Sequence, residues 1–305
     1  MIEVTRINAL TGHQNPVYAL ELSQKPGILF TAGNDKGVVE WSLERQEFIK
    51  VLMPVATSVY SLHCPECCPV MAVGERSGQI SIFNFIEQKV IARLGHHKYP
   101  VFGLKSVSRK QELLASSEDG SVSVTSLNDF SILYRFLVSE QTVRVIAISP
   151  DETLVAFGCK DNTIKIYNLD DYSLVQELNG HTHPVTSLQF SPDGRHLISG
   201  GRDAKLNIWN LPNFSLRETI VAHLFTIYDI AYHPTLPYFA TCSQDKSIKI
   251  WDAENFKLRK IISKERGFIT HSHSINKIAW DPQSGNLIST GDDKDVLIWA
   301  VSFLS

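Results

Sequence analysis

Seven copies of a unit with a 42-residue period, each holding four short β-rich runs, predict an all-β fold. The expected architecture is a single seven-bladed β-propeller with four antiparallel strands per blade, the last blade closed by the N-terminal strand. Three observations carry this expectation: the spacing of turn aspartates, the strand pattern within each unit, and the arithmetic of the two ends.

The spacing comes first. Segments ending NDKGVVEW, RSGQISIF, EDGSVSVT, KDNTIKIY, RDAKLNIW, QDKSIKIW and DDKDVLIW align on Asp35, Ser77, Asp119, Asp161, Asp203, Asp245 and Asp293. Five successive intervals are 42 residues and the sixth is 48. Six residues further on stand Trp41, Phe83, Thr125, Tyr167, Trp209, Trp251 and Trp299. Twenty-two residues before the aspartate position stand His13, His97, His181, His223 and His271, with Val55 and Ser139 in the second and fourth units.

Within a unit, VTSLQF, HLISGG, KLNIWN and SLRETIV read as strands, because β-branched and aromatic residues are bounded by SPDG, RDA and LPNF turns. A four-stranded unit cannot bury both of its faces alone. Packing the units radially around an axis does so and leaves only short edges.

The ends supply closure. After Trp299 only six residues remain, too few for a further outer strand, whereas EVTRINALTG before His13 matches SLVQELNG before His181. Residues 3–10 are therefore expected to form the outer strand of the last blade, with residues 1–305 forming one complete domain and no second one.

Composition narrows the function. The formal net charge is -3, which argues against a protein selected to neutralise a phosphate backbone. No apolar run approaches the roughly 18 residues of a membrane helix, and the N-terminus lacks a secretory pattern. The 5 cysteines are few and odd in number, which favours a reducing compartment: cytoplasmic, or nuclear in a eukaryote. Cys64, Cys67 and Cys68 resemble half of a zinc site but have no second pair, so Cys64 is read as a core residue and the other two as exposed turn thiols. No phosphate loop or carboxylate couple stands out. No metal and no cofactor are expected, nor an enzyme.

The sequence resembles the WD-repeat propeller family. The resemblance rests on TGH (11–13), GHH (95–97), NGH (179–181), the repeated tryptophans and WD (251–252), and it runs along essentially the whole chain. Units one, five, six and seven match strongly, and two to four are degenerate. The resemblance implies a structural network in which the turn Asp bonds the His, the His bonds a strand hydroxyl, and the hydroxyl bonds the Trp. The sets are His13/Thr31/Asp35/Trp41, His181/Ser199/Asp203/Trp209, His223/Thr241/Asp245/Trp251 and His271/Ser289/Asp293/Trp299. A Ser-His-Asp hydrolase would use similar bonds, but it needs one copy and not four. Val73, Ala115 and Phe157 replace the hydroxyl in units two to four, so those blades are expected to be held mainly by packing.

The resemblance also implies a non-catalytic scaffold or adaptor, which recognises a protein or peptide on the narrow face. Family recognition positions carry over to Tyr18, Tyr60, Phe102, Arg144, Thr186, Tyr228 and Asn276, and to Asn34, Arg76, Glu118, Lys160, Arg202, Gln244 and Asp292. Aromatics and arginine dominate interface hot spots. Arg144, Lys160 and Arg202 form a basic sector suited to an acidic or phosphorylated segment. The 48-residue interval places an insertion at Lys264–Ile269, with Arg266 and Phe268 expected to project beside Tyr228. Alternatives are a small-molecule or enzymatic site in the central channel, and nucleic-acid binding through the basic sector. The chain is expected to be monomeric alone or a subunit of a larger complex, with no membrane contact.

Overall fold

A computed structural model describes residues 2–303. The first strand is β1 (Ile2–Leu10). Blade 1 holds β2 (Val17–Leu22), β3 (Ile28–Gly33), β4 (Gly37–Ser42) and β5 (Glu47–Pro54). Blade 2 holds β6 (Val59–His63), β7 (Val70–Glu75), β8 (Ile80–Asn84) and β9 (Lys89–Leu94). Blade 3 holds β10 (Val101–Val107), β11 (Glu112–Ser117), β12 (Ser121–Ser126) and β13 (Ile132–Leu137). Blade 4 holds β14 (Val143–Ile148), β15 (Leu154–Cys159), β16 (Thr163–Asn168) and β17 (Leu174–Asn179). Blade 5 holds β18 (Val185–Phe190), β19 (His196–Gly201), β20 (Lys205–Asn210) and β21 (Leu216–Val221). Blade 6 holds β22 (Ile227–Tyr232), β23 (Tyr238–Ser243), β24 (Ile248–Asp252) and β25 (Leu258–Ile262). Blade 7 holds β26 (Ile275–Trp280), β27 (Leu287–Gly291) and β28 (Val296–Phe303).

Seven four-stranded antiparallel sheets result, six of them consecutive in sequence and the seventh ordered β1-β28-β27-β26. The N-terminal strand pairs with β28 from Ile2↔Phe303 to Leu10↔Val296, so the ring closes as the end arithmetic predicts.

Packing explains why seven weak sheets make one stable body. The buried apolar residues fall into seven clusters, each between two neighbouring blades. The cluster of Leu10, Leu20, Leu29, Trp41, Ile288 and Val296 joins blade 7 to blade 1. No blade owns a core of its own, so burial is available only to the closed ring.

The turn between the second and third strands repeats one backbone device. The residue after the aspartate position is left-handed in every blade: Lys36, Gly78, Gly120, Asn162, Ala204, Lys246 and Lys294. Most accept the modest strain of positive φ. At Gly120 a side chain is excluded outright, because a Cβ would lie 2.0 Å from the Ser139 carbonyl oxygen.

Candidate functional site

Two sets of side chains reach the face formed by the loops between blades and by the second-to-third strand turns. One is the repeated His-hydroxyl-Trp set. In blade 5, His181 Nδ1 lies 3.0 Å and 3.1 Å from the two Asp203 oxygens, and His181 Nε2 lies 2.8 Å from Ser199 Oγ. Trp209 Nε1 donates to the same Oγ at 2.9 Å. The order of donors follows: the indole donates to the hydroxyl, the hydroxyl to Nε2, and Nδ1–H to the carboxylate, which requires a neutral imidazole. His13, Thr31, Asp35 and Trp41 repeat this arrangement, as do His223, Thr241, Asp245 and Trp251, and His271, Ser289, Asp293 and Trp299. The histidines are buried in all four blades, with no room for a substrate against them.

The other set lies at the mouth of the central channel, and a repeated irregularity builds it. Each innermost strand carries a register shift against its neighbour. Val17 pairs with Gly33 and Ala19 with Ala32, which leaves Tyr18 as the extra residue. The same shift leaves Tyr60, Phe102, Arg144, Thr186, Tyr228 and Asn276 as the extra residues of the other six blades. A β-bulge re-aims the side chain of its unpaired residue. Here it turns seven side chains into one opening, and all seven line a single cavity of 470 Å³.

Along one wall the rings form a continuous arc. Tyr18 stacks on Tyr60 with centroids 5.4 Å apart, Tyr60 meets Phe102 at 5.2 Å, and the Arg144 guanidinium lies over the Phe102 ring at 4.4 Å. Burial raises the pKa of Tyr18 and Tyr228, so both present neutral phenols that donate O–H. A second cavity of 320 Å³ opens beside the first and is lined by Arg144, Lys160 and Arg202 together with Glu118, Thr226 and Tyr228. Among the described residues, no ion pair engages Arg144, Lys160 or Arg202. Other mouth positions are already occupied: Asn276 Nδ2 donates to Asp292 Oδ1 at 2.8 Å, and Asn34 Oδ1 accepts from Ser58 at 2.5 Å.

The model of the family described as WD domain, G-beta repeat matches residues 4–42, 131–168, 172–210, 214–252 and 263–300, more than half of the chain. The chain belongs to the WD-repeat family. Members of this family generally act as protein-interaction scaffolds and are generally non-catalytic. The chain is also 31% identical over 97 residues to periodic tryptophan protein 2 of Saccharomyces cerevisiae. That alignment covers 32% of this chain and 10% of the relative, so the chain spans about a tenth of the relative's length. Among the described residues, no helix is long and apolar enough to cross a membrane.

In this WD-repeat propeller, blades 2 to 4, expected to be held mainly by packing, also carry hydrogen bonds in place of the missing network. Blade 2 buries Glu75, which accepts from Ser81 Oγ at 3.0 Å and Thr57 Oγ1 at 3.2 Å. Blade 3 keeps the histidine and moves the hydroxyl from the second strand to the third, where Ser123 Oγ lies 2.9 Å from His97 Nε2. In blade 4, Ser139 stands in the histidine position and donates to Asp161 at 2.7 Å. There Phe157 and Tyr167 replace the hydroxyl-to-indole bond by ring contact at 5.5 Å. Each degenerate unit thus bonds the groups that stand in for the missing network by a private solution, although Ser116 Oγ and His96 Nε2 at blade 3 stay buried without a partner.

Two further placements differ from the sequence reading. The inserted segment follows β25 as expected and forms a 3-10 turn at Lys264–Arg266, with Arg266 exposed. Phe268, however, folds back edge-on to Trp299 at 6.4 Å and does not line either mouth cavity beside Tyr228. An aromatic ring in a short loop finds more apolar contact against the blade 7 tryptophan than in solvent. Cys67 and Cys68 are half-buried against the core between blades 2 and 3 and are not exposed thiols, while Cys64 is buried.

On the innermost strands of blades 1 to 3, Glu21, His63 and Ser106 form a relay that occurs once among the described residues. Glu21 Oε1 lies 3.2 Å from His63 Nδ1, and His63 Nε2 lies 2.8 Å from Ser106 Oγ. The Ser106 amide donates to the same Nε2 at 3.0 Å, and the Cys64 amide donates to Glu21. The single lone pair of His63 Nε2 is thus shared between the hydroxyl and the amide of Ser106. The relay acts as a strut across blades 1 to 3.

Burial sets a pH dependence. It lowers the pKa of His13 and His223 below the ordinary value of 6.5, although Asp35 and Asp245 each favour the charged form. An imidazole that is harder to protonate in the folded chain adds stability in full above the unfolded value. That stability is lost as pH falls from about 6.5 toward the folded value. Thermal melts at fixed ionic strength should therefore show a melting temperature that drops between pH 7.5 and pH 5.5, and a flat profile would contradict this account.

Proposed function

We propose that this propeller is a non-catalytic scaffold whose narrow face holds an acidic or phosphorylated segment of a partner protein. The observation that carries the reading is the set of seven bulges, which aim Tyr18, Tyr60, Phe102, Arg144 and Tyr228 into one mouth beside the unpaired Arg144, Lys160 and Arg202. Arg144, held over the Phe102 ring, and Arg202 form no ion pair within the described residues, which leaves their guanidinium groups able to bind carboxylate or phosphate in bidentate fashion. The aromatic arc supplies rigid contact area around them. Arg76 and the exposed Arg266 are further basic contacts for the same segment in this reading. Phe268 contributes by holding the inserted loop in place. The whole chain acts as one domain in this reading, alone or as a subunit of a larger assembly.

The test compares partner capture by the tagged wild-type chain with capture by two double variants, Tyr60→Ala/Phe102→Ala and Arg144→Ala/Arg202→Ala. Both are expected to lose the captured proteins while keeping a cooperative melt, and wild-type capture should weaken as salt rises. Undiminished capture by both variants would sink the proposal. Preferential recovery of nucleic acid, with steep salt dependence, would reassign the face.

A further inference from the structure

The loops that enter each blade offer an internal comparison. After the structural histidine position come Gln14-Asn15, Ala56-Thr57, Lys98-Tyr99, Glu140-Gln141, Thr182-His183, Leu224-Phe225 and Ser272-His273. Six of these pairs carry a polar or charged side chain, and only Leu224-Phe225 is wholly apolar. Leu224 is 81% exposed and Phe225 is 57% exposed. Val221, at the end of β21 and three residues before Leu224, is 77% exposed.

The fold does not ask for these side chains. The Leu224 amide donates to Asp245 at 3.0 Å, and the equivalent amides of Thr182 and Ser272 make the same bond to Asp203 and Asp293 at 3.0 Å and 2.8 Å. The Phe225 backbone carbonyl accepts from Ser243 Oγ. Backbone atoms do the structural work, and a polar pair would serve as well. An apolar outcrop rimmed by polar residues marks a surface that a partner covers.

Its neighbours say what kind of partner. Thr226 follows Phe225 directly and lines the 320 Å³ cavity of Arg144, Lys160 and Arg202, as does Tyr228. The apolar pair and the unpaired cations are thus parts of one continuous face, an offset of one or two residues along the loop. Building on the proposed acidic ligand, we propose that the bound segment is an extended chain pairing a carboxylate or phosphate with a large apolar side chain. The anion sits on Arg144, Lys160 and Arg202, and the apolar side chain covers Leu224 and Phe225.

An array of synthetic dodecapeptides tests this. Each peptide carries a Glu or phosphoserine block on a Gly/Ser background, either alone or with Leu or Phe at every offset from the block. The wild-type chain is expected to retain acid-plus-apolar peptides, over one window of offsets, at least roughly ten-fold better than acid-only ones. Leu224→Ser/Phe225→Ser should reduce them to the acid-only level, leave acid-only binding unchanged and preserve the melt. Equal wild-type retention of both classes would overturn the apolar contact and leave the basic cavity standing. Retention of no acidic peptide would remove the reading beneath it as well.

Discussion

Asp203→Ala should lower the stability of the propeller by about 3 kcal/mol, one of the largest effects available to a single surface-loop residue. The His181 and Asp203 side chains are 1% and 2% exposed, so neither can turn to water for a substitute bond. Asp203 also accepts from the amides of Thr182 at 3.0 Å and Lys205 at 3.2 Å. Alanine would strand a buried imidazole N–H and two turn amides together. The state of the carboxyl shows how strongly it is held. Burial by itself would raise its pKa, but the hydrogen bonds from His181 and from the amides of Thr182 and Lys205 outweigh burial, and the value is pulled down to about 2. A carboxylate shifted this far adds stability on the order of 2 kcal/mol above its unfolded pKa, which is lost as the pH falls from about 4 toward 2.

The controls separate this account from a general effect of losing a carboxylate. Asp203→Asn keeps one acceptor oxygen and should cost about half as much. Asp170→Ala removes a carboxylate that is 67% exposed and pairs with Arg109 at the surface, and should change stability by less than about 1 kcal/mol. Asp245→Ala acts in a different blade, so its cost should add to that of Asp203→Ala. Differential scanning calorimetry reads all four. An Asp203→Ala melting temperature equal to wild type would refute the structural role of the network.

The same residues show how much was legible in the sequence. Repeat spacing fixes position, so Asp203, His181, Ser199 and Trp209 could be assigned together, and the pairing of residues 3–10 with the last blade followed from the ends. What could not be read was compensation. Glu75 sits two residues before the missing aspartate of blade 2, and no periodic signal marks it as an acceptor. In blade 3 the hydroxyl passes from Ala115 to Ser123, from the second strand to the third, and a column-by-column alignment reads that as a loss. Phe268 looked like a projecting residue because an insertion has no repeat partner to show which way its ring turns. At the mouth, the column of Tyr18, Tyr60, Phe102 and Arg144 was visible, but the bulge that aims it was not. A register shift is a property of two strands, and alternation within one strand does not encode it. Glu21, His63 and Ser106 lie in three consecutive blades, and only the stacking of those blades brings their side chains together.

Removing residues 2–10 should do more damage than any single substitution, because this one strand completes two packing interfaces. Leu10 is buried in the cluster that joins blade 7 to blade 1, and Ile2 in the cluster between blades 6 and 7. Taking both to solvent costs about 1.5–3 kcal/mol each. Loss of the strand also strips β28 of its antiparallel partner along the register from Phe303 to Val296 and turns it into an exposed edge. Trp299, fully buried on that strand, would lose part of its cover. Together these losses approach the roughly 5–15 kcal/mol by which a folded protein exceeds its unfolded state. The truncated chain should therefore lose its cooperative melt or aggregate. A synthetic peptide of residues 2–10, IEVTRINAL, supplied in excess should restore the melt, since the groove beside β28 is otherwise intact. Leu10→Asp places a charge at a position 3% exposed and should reproduce much of the loss in the full-length chain, whereas Thr5→Asp on the exposed face of the same strand should be tolerated. A truncated chain that melts at the wild-type temperature would show that the ring does not depend on its N-terminal strand for closure.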